Sequence, residues 1–585
     1  MTPLVPLPVA VPITVAAFLL ASGHFLPRRV PDLLAMATAL AMTVISAVMA
    51  TRSVSGPLTY WFGGWSTIGA QVVGIRFQVD PFGAALAAFA GLLFFATFIF
   101  AWGVFEKIGA LFHVLMLFFL AAIDGFVLTH DLFNLFVWFE VMSVAAFSLT
   151  AYRLEASALE GAMNFTVTNS LASFCVLGGI GLIYLRVGAL DFSALSQAVA
   201  ADGGDPLFLG SFALLATGFL IKGAMVPFQA WLSDTHAVAP SPVSVIFSGI
   251  MVPVGLFGVV RLYFSVFAGS GVITTVLNTL GLWIGVASAL LGGFMCLTQR
   301  HLKRLLAFST ISHVGVMLAA FAILSAPAQA GFLLYLLGHG LTKGALFMLS
   351  GLLLATLGGI DEIGLRGLGR QVWPAGIAFA VGGLLLGGAP VGLMDEGTRL
   401  IDAAASQAHR DWAALACLLA SALTGGAVLR ATGRIFLGWG KVAGEEERGP
   451  SEQEQEDANR PLWLLLLPAV VLLCLALAEG GTIQRYARLA VVALMSPGQA
   501  AHAPVPVPKP PHPILPWIST LLALLIAAFD LFRDRIPHSI LVTNDRITTP
   551  LRHLLEPMHS GRVGDYVAWI VAGLAMLAIA LSVAS

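Results

Sequence analysis

Along most of the chain, apolar residues run for about 20 positions before a short polar interval resets the pattern, a length that crosses a hydrocarbon layer roughly 30 Å thick. This rhythm predicts about sixteen candidate spans. They lie near 7–27, 31–51, 80–102, 109–129, 131–152, 162–185, 207–230, 240–266, 272–296, 303–324, 328–356, 373–393, 412–432, 461–479, 513–532 and 564–583. The densest patterning falls between 110 and 440. Two intervals break it. Residues 441–460 (KVAGEEERGPSEQEQEDANR) are acidic without an apolar period and read as a flexible loop. Residues 500–515 (AAHAPVPVPKPPHPIL) are Pro-rich and read as an extended linker. The predicted class is an all-α integral membrane protein of about 14–16 transmembrane helices.

Composition agrees. Apolar residues make up 58% of the 585 and charged residues 10%, against about 25% charged in ordinary globular proteins. The net charge of −1 gives no footing for nucleic acid. Cys175, Cys296, Cys417 and Cys474 all lie in apolar segments without metal-ligand spacing and read as buried thiols. No metal site or cofactor is expected, and the absence of a Gly-rich nucleotide loop or cysteine cluster points away from a catalytic centre of its own. The first apolar run has no basic lead-in and reads as a retained helix. Basic residues cluster in the loops after odd-numbered spans, which predicts those loops in the cytoplasm and both termini outside.

Against this background, charges inside the spans stand out, each costing about 2.5–3.5 kcal/mol on insertion scales. Glu140 sits in the fifth span, Lys222 in the seventh, Lys343 in the eleventh with His339 four residues earlier on the same face. His313 follows Lys303 into the tenth span, and Asp124 ends the fourth. His113 reads as a hydrogen-bonded core histidine. Between 231 and 245 (WLSDTHAVAPSPVSV) Asp234, His236, Pro240 and Pro242 interrupt two apolar runs. That pattern reads as a broken helix or as an ordinary polar loop. Residues 221–228 (IKGAMVPF) and 342–349 (TKGALFML) echo one another and suggest an internal repeat, as in many secondary transporters. Glu140 and Lys222 admit two readings. One is a static ion pair that fixes packing. The other is a relay in which a lysine alternates between a carboxylate partner and an apolar setting, and so alternates between holding and releasing a proton.

The stretches 131–147 (DLFNLFVWFEVMSVAAF), 221–251, 301–318 (HLKRLLAFSTISHVGVML), 336–351 (LLGHGLTKGALFMLSG) and 364–374 (GLRGLGRQVWP) resemble the proton-conducting antiporter-like family. That family includes the A-type and D-type components of multisubunit Mrp Na⁺/H⁺ antiporters and the antiporter-like membrane subunits of respiratory complex I and membrane-bound hydrogenases. Residues 423–440 (LTGGAVLRATGRIFLGWG) look most like the D-type Mrp component, and 559–573 (HSGRVGDYVAWIVAG) like the C-terminal signature of longer members. The resemblance covers about 75–440 and the last helix. It implies two inverted five-helix repeats with broken helices, placed at 106–270 and 271–440. Flanking helices lie at 1–105, and 461–585 holds further helices.

It further implies a proton relay through Glu140, Lys222, His339, Lys343, His313 and Lys303, with Asp234, His236, Pro240 and Pro242 at a helix break. The implied setting is a multi-pass subunit of the inner (cytoplasmic) cell membrane, with other membrane subunits as partners, H⁺ as cargo with Na⁺ or K⁺ left open as a second, and no nucleic acid. Three positions depart from the family pattern. Pro253 stands where a lysine is usual in the eighth span, and His301 where an aspartate is common. Thr398 occupies the charged position of the twelfth span, with Asp395 and Glu396 just before it as the candidate exit. The competing readings are an antiporter-like proton-pumping subunit of a complex I-related or hydrogenase-type redox complex, a non-conducting structural subunit of such a complex, and a solute transporter acting alone.

Overall fold

A computed structural model of the chain describes residues 2–27, 29–65, 67–68, 71–72, 74–105, 109–440, 461–496, 513–535 and 563–585. The acidic loop at 441–460 lies outside these residues, as do 500–512 of the Pro-rich linker and the first residues of the C-terminal signature.

Where the apolar pattern is continuous, it becomes one helix. In chain order these are α1 (Leu7–Ser22), α2 (Arg29–Ser53), α3 (Pro81–Val104), α4 (Ala110–Leu128), α5 (Leu132–Thr150) and α6 (Ala156–Val187). The short α7 (Phe192–Ala201), α8 (Pro206–Lys222) and α9 (Ala230–Val238) follow. Next come the long α10 (Ser241–Phe267), α11 (Gly271–Thr298), α12 (Leu302–Ala322) and α13 (Ala326–Leu357). Then come α14 (Trp373–Leu386), α15 (Gly392–Gln407), α16 (Asp411–Leu437), α17 (Leu462–Ala476), α18 (Gly481–Met495), α19 (Leu515–Leu531) and α20 (Val563–Ala584).

Among the described residues eleven helices are long and apolar enough to cross a membrane, twelve if the bent pair α17–α18 is one span. That is five fewer than the sixteen predicted: Leu7–Ser22 and Leu515–Leu531 form shorter helices, and three other predicted spans are broken. The span expected at 207–230 stops at Lys222 and the one at 373–393 stops at Leu386. The one at 461–479 turns by 74° into α18. The chain is also not purely helical. Residues Leu58–Trp61 pair antiparallel with Arg76–Val79, enclosing a second small ribbon at Thr67–Ile68 and Gln71–Val72. β-branched and aromatic residues outside any 20-residue apolar run favour that ribbon.

An internal repeat is visible in the backbone. Asp131 bridges Asp191 and His301 bridges Asp361, each pair closing the start of a helix. Two 32-residue helices, α6 and α13, both end in a left-handed glycine, Gly188 and Gly358. Each second member follows its counterpart by 170 residues (301 against 131, 361 against 191, 358 against 188). The echo between Lys222 and Lys343 is therefore not the repeat's register. The same displacement carries Lys343 back to Ser173.

The centre of the molecule is α10 and α12, whose apolar windows are fully buried, with α13 beside them. Gly249 of α10 and Gly340 of α13 set that crossing: a Cβ on Gly340 would overlap the Gly249 carbonyl oxygen and the Phe89 ring. α6 and α20 keep most of their surface outward, with Phe174, Leu185, Val571 and Ile579 exposed. Such faces suit lipid, which is as apolar as the side chains it meets.

Candidate proton relay

The first cluster forms where α8 breaks. Residues 223–229 leave the helix, and the freed groups find protein partners, as a break at membrane depth requires. The Trp231 indole donates to the Ile221 carbonyl at 2.9 Å, and the Val226 amide donates to Ser288 Oγ at 3.0 Å. Lys222, fully buried at the end of α8, donates to Ser143 Oγ at 2.6 Å. Its ammonium also lies 4.7 Å from the centre of the Phe139 ring, a cation–π contact. Glu140, one turn from Ser143 on α5, accepts from the Ser173 hydroxyl. Glu140 is within electrostatic reach of Lys222. The ion pair that is one reading of Glu140 and Lys222 is replaced by two hydroxyl contacts: no Glu140–Lys222 approach within 4.0 Å occurs among the described residues.

The second break lies at Ala239 and Pro240, between α9 and α10. Pro242 sits in the first turn of α10, where a missing N–H costs nothing. Both prolines thus start a helix, and the polar stretch is a helix break instead of an open loop. Lys303, buried on α12, donates to the freed Ala239 carbonyl at 3.0 Å. Among the described residues His236 is buried with no hydrogen-bond partner on either ring nitrogen, and it stacks on Phe347 at 4.7 Å. Both Lys303 and Lys343 are within its electrostatic reach. Asp234 accepts from the Tyr566 hydroxyl of α20 at 2.9 Å, so the last described helix is pinned to this break.

Lys343 donates to the Leu306 carbonyl and, at 2.5 Å, to Ser309 Oγ. His339, one turn away, is buried with both ring nitrogens unpartnered among the described residues, its ring 5.5 Å from that of His313. His313 bonds the Tyr335 hydroxyl at 2.6 Å and Thr424 Oγ1 at 3.0 Å. The structure thus gathers His236, Lys303, Lys343, His339 and His313 into one region, separate from Glu140 and Lys222. Ring contacts join the two through Phe165, which touches the Lys222 cation at 5.8 Å and Phe247 at 5.9 Å, and Phe247 lies 6.0 Å from His236. Pro253 stands just past a π turn at Phe247–Met251, where the helix widens around a residue that has no N–H to return.

At the far end, α14 and α15 are separated by a break that meets the bend between α17 and α18. Glu479 accepts from the Gly392 amide at 2.9 Å, and the Gly480 amide donates to Glu396 at 3.3 Å. Arg399 pairs with Asp395 at 2.5 Å. His301 caps α12, accepting from the Arg304 amide, as Asp131 caps α5. His113 bonds Asp32 at 2.8 Å, a hydrogen-bonded core histidine as expected. Asp124 is buried with both carboxyl oxygens unpartnered among the described residues.

Sequence reasoning did not single out Ser143, Ser173, Tyr335 or Glu479. Tyr335 was detectable, since it precedes His339 by one turn on the same face. The serines carried no signal at all in so apolar a chain.

A bundle of membrane-crossing helices with repeated breaks and buried ionisable groups defines a polytopic protein of the antiporter-like type. Residues 129–424 match the family described as "NADH:quinone oxidoreductase/Mrp antiporter, TM", and the chain belongs to that family. The N component of the NADH-quinone oxidoreductase of Desulforudis audaxviator is 30% identical over 322 residues, 54% of this chain and 63% of that protein. The D component of the Na⁺/H⁺ antiporter of Bacillus subtilis is 27% identical over 477 residues, covering 79% and 91%. The fold matches a chain of the Mrp complex from Dietzia sp. DQ12-45-1b with a TM-score of 0.76 at 24% identity, over 86% of this chain and all of that one.

Proposed function

We propose that this chain is a proton- and cation-translocating membrane subunit of a multisubunit complex of the inner cell membrane, most like the D-type component of an Mrp Na⁺/H⁺ antiporter. The observation that carries the reading is Lys222. It is a fully buried cation at the end of a broken helix, held by one hydroxyl and an aromatic face, with Glu140 one turn from that hydroxyl. A purely structural pair would be expected to close directly, because a buried charge without a close partner is costly. Held apart, the two groups can exchange a proton with small side-chain movements. The relay has two halves, drawn from the repeats proposed at 106–270 and 271–440, with His236 of the first repeat joining the second half. Glu140 and Lys222 form the first. His236, Lys303, Lys343, His339 and His313 form the second, with Asp395 and Glu396 toward the exit.

The relation to the NADH-quinone oxidoreductase component supports a second reading, a proton-pumping subunit of a redox-driven complex. Co-purification in mild detergent separates the two: redox subunits favour the second, small membrane subunits alone favour the first.

The test of the relay uses inside-out vesicles carrying the assembled complex and a fluorescent reporter of ΔpH. Lys222→Ala and Glu140→Gln should each lower cation-driven proton release by about a hundredfold, a size typical of lost acid–base groups. Assembly should be unchanged. Wild-type flux in both variants would sink the proposal and leave a structural subunit as the better reading.

A further inference from the structure

Beyond His313 the relay has a continuation that the family pattern does not mark. Tyr335, His339 and Lys343 succeed one another at intervals of four along α13 and share one face. Tyr335, whose hydroxyl lies 2.6 Å from His313 Nδ1, lines a cavity of about 30 Å³, room for about two water molecules. The facing wall is α15. Asp395, Thr398 and Asp402 all line it, at spacings of three and four that put them on one side of the helix. Cys417 and Ser421 of α16 complete the polar lining. Glu396 is not on this wall; its carboxylate faces the Gly480 amide instead. Asp395 is already engaged by Arg399, which leaves Asp402 as the carboxylate on the cavity without a basic partner among the described ion pairs.

We infer that Asp402 is a proton-carrying residue of this chain, reached from His313 through the Tyr335 hydroxyl and water in the cavity. It supplies, one turn further along α15, the charge that Thr398 lacks. The inference rests on the relay reading above. In the transfer, His313 starts as the imidazolium, and its Nδ1–H bond breaks as the Tyr335 oxygen takes that proton, leaving neutral imidazole. The phenol releases its own proton to a cavity water, and the water protonates an Asp402 carboxylate oxygen. One H⁺ moves and no electrons change hands. The titratable groups that line the cavity with Asp402 are Tyr335 on α13, Asp395 on α15 itself and Cys417 on α16.

The test compares Asp402→Asn, Asp402→Glu, Tyr335→Phe, Glu396→Gln and Lys222→Ala in inside-out vesicles holding the assembled complex. ΔpH is followed by dye fluorescence and assembly by native gel. Asp402→Asn and Tyr335→Phe should each reduce transport at least about tenfold, and Asp402→Glu should recover most of it, since a carboxylate on a longer stem still reaches the water. Loss in Lys222→Ala with wild-type transport in Asp402→Asn overturns this inference alone. Wild-type transport in Lys222→Ala overturns the relay reading beneath it. A larger loss in Glu396→Gln than in Asp402→Asn returns the exit to Glu396. Where Asp402→Asn fails to assemble, Tyr335→Phe decides, because it removes one hydroxyl and no charge; wild-type transport in that variant also overturns the inference.

Discussion

Asp131 and His301 occupy matching places at the starts of α5 and α12, and each accepts a backbone amide from the first turn that follows. The histidine found where an aspartate is usual therefore keeps the capping contact. Asp131 lies outside the span that it caps. Burial pushes its carboxyl up to about 6, opposed in part by the Asn134 amide. A carboxyl raised in the folded state binds its proton more tightly there than in the unfolded chain. Its contribution to stability is then complete below the ordinary value of 3.8 and disappears as pH rises through about 6. Asp131→Asn keeps an acceptor for the cap and has no proton to lose. Thermal unfolding in detergent between about pH 4 and pH 7 should show a fall in midpoint for the wild type that is flattened in this variant.

Single residues were legible in proportion to their rarity. One ionisable group in an apolar window is visible in any reading, so Glu140, Lys222, His339 and Lys343 were found. Ser143 and Ser173, which hold two of the charges in place, were not, because hydroxyls are common in membrane helices and only tertiary structure selects among them.

Helices interrupted by a clear signal were read well. The paired prolines at 240 and 242 marked the start of α10, whereas the bend between α17 and α18 was missed. Residues 481–495 (GTIQRYARLAVVALM) are too polar on one side to register as apolar, although the helix buries Ala487, Ala490 and Val491. The Lys-Gly-Ala echo was misleading because three small or basic residues in an apolar chain carry little register information. The true repeat is written in helix lengths and turn positions. At this scale the Gly249–Gly340 crossing is the most exposed to mutation. Gly340→Ala forces α10 and α13 apart beside His339, and overpacking of this kind costs about 1–3 kcal/mol. A lower unfolding midpoint accompanied by weaker transport is expected. A variant with the wild-type midpoint would show that the crossing is looser than described.

Across the molecule, polar groups are concentrated where helices stop, and apolar faces point outward. Arg430 and Arg434 of α16 bind Glu362 and Asp530, tying the loop after α13 to α19 without touching the relay. Purified alone into liposomes, the chain should show no cation-dependent proton flux above protein-free controls, while the assembled complex should show it readily. Flux from the isolated chain would favour a transporter that works by itself. Fold class was legible from hydrophobic length alone, since few architectures satisfy a chain this apolar.

The contact between Asp234 and Tyr566 spans 332 positions of sequence. During synthesis, at about 5–20 residues per second, the second helix break therefore waits roughly 15–70 s for the helix that is pinned to it. Through that interval a polar, half-built segment sits in the bilayer without its partner. An insertion chaperone, or a neighbouring protein made at the same time, has a defined place to hold.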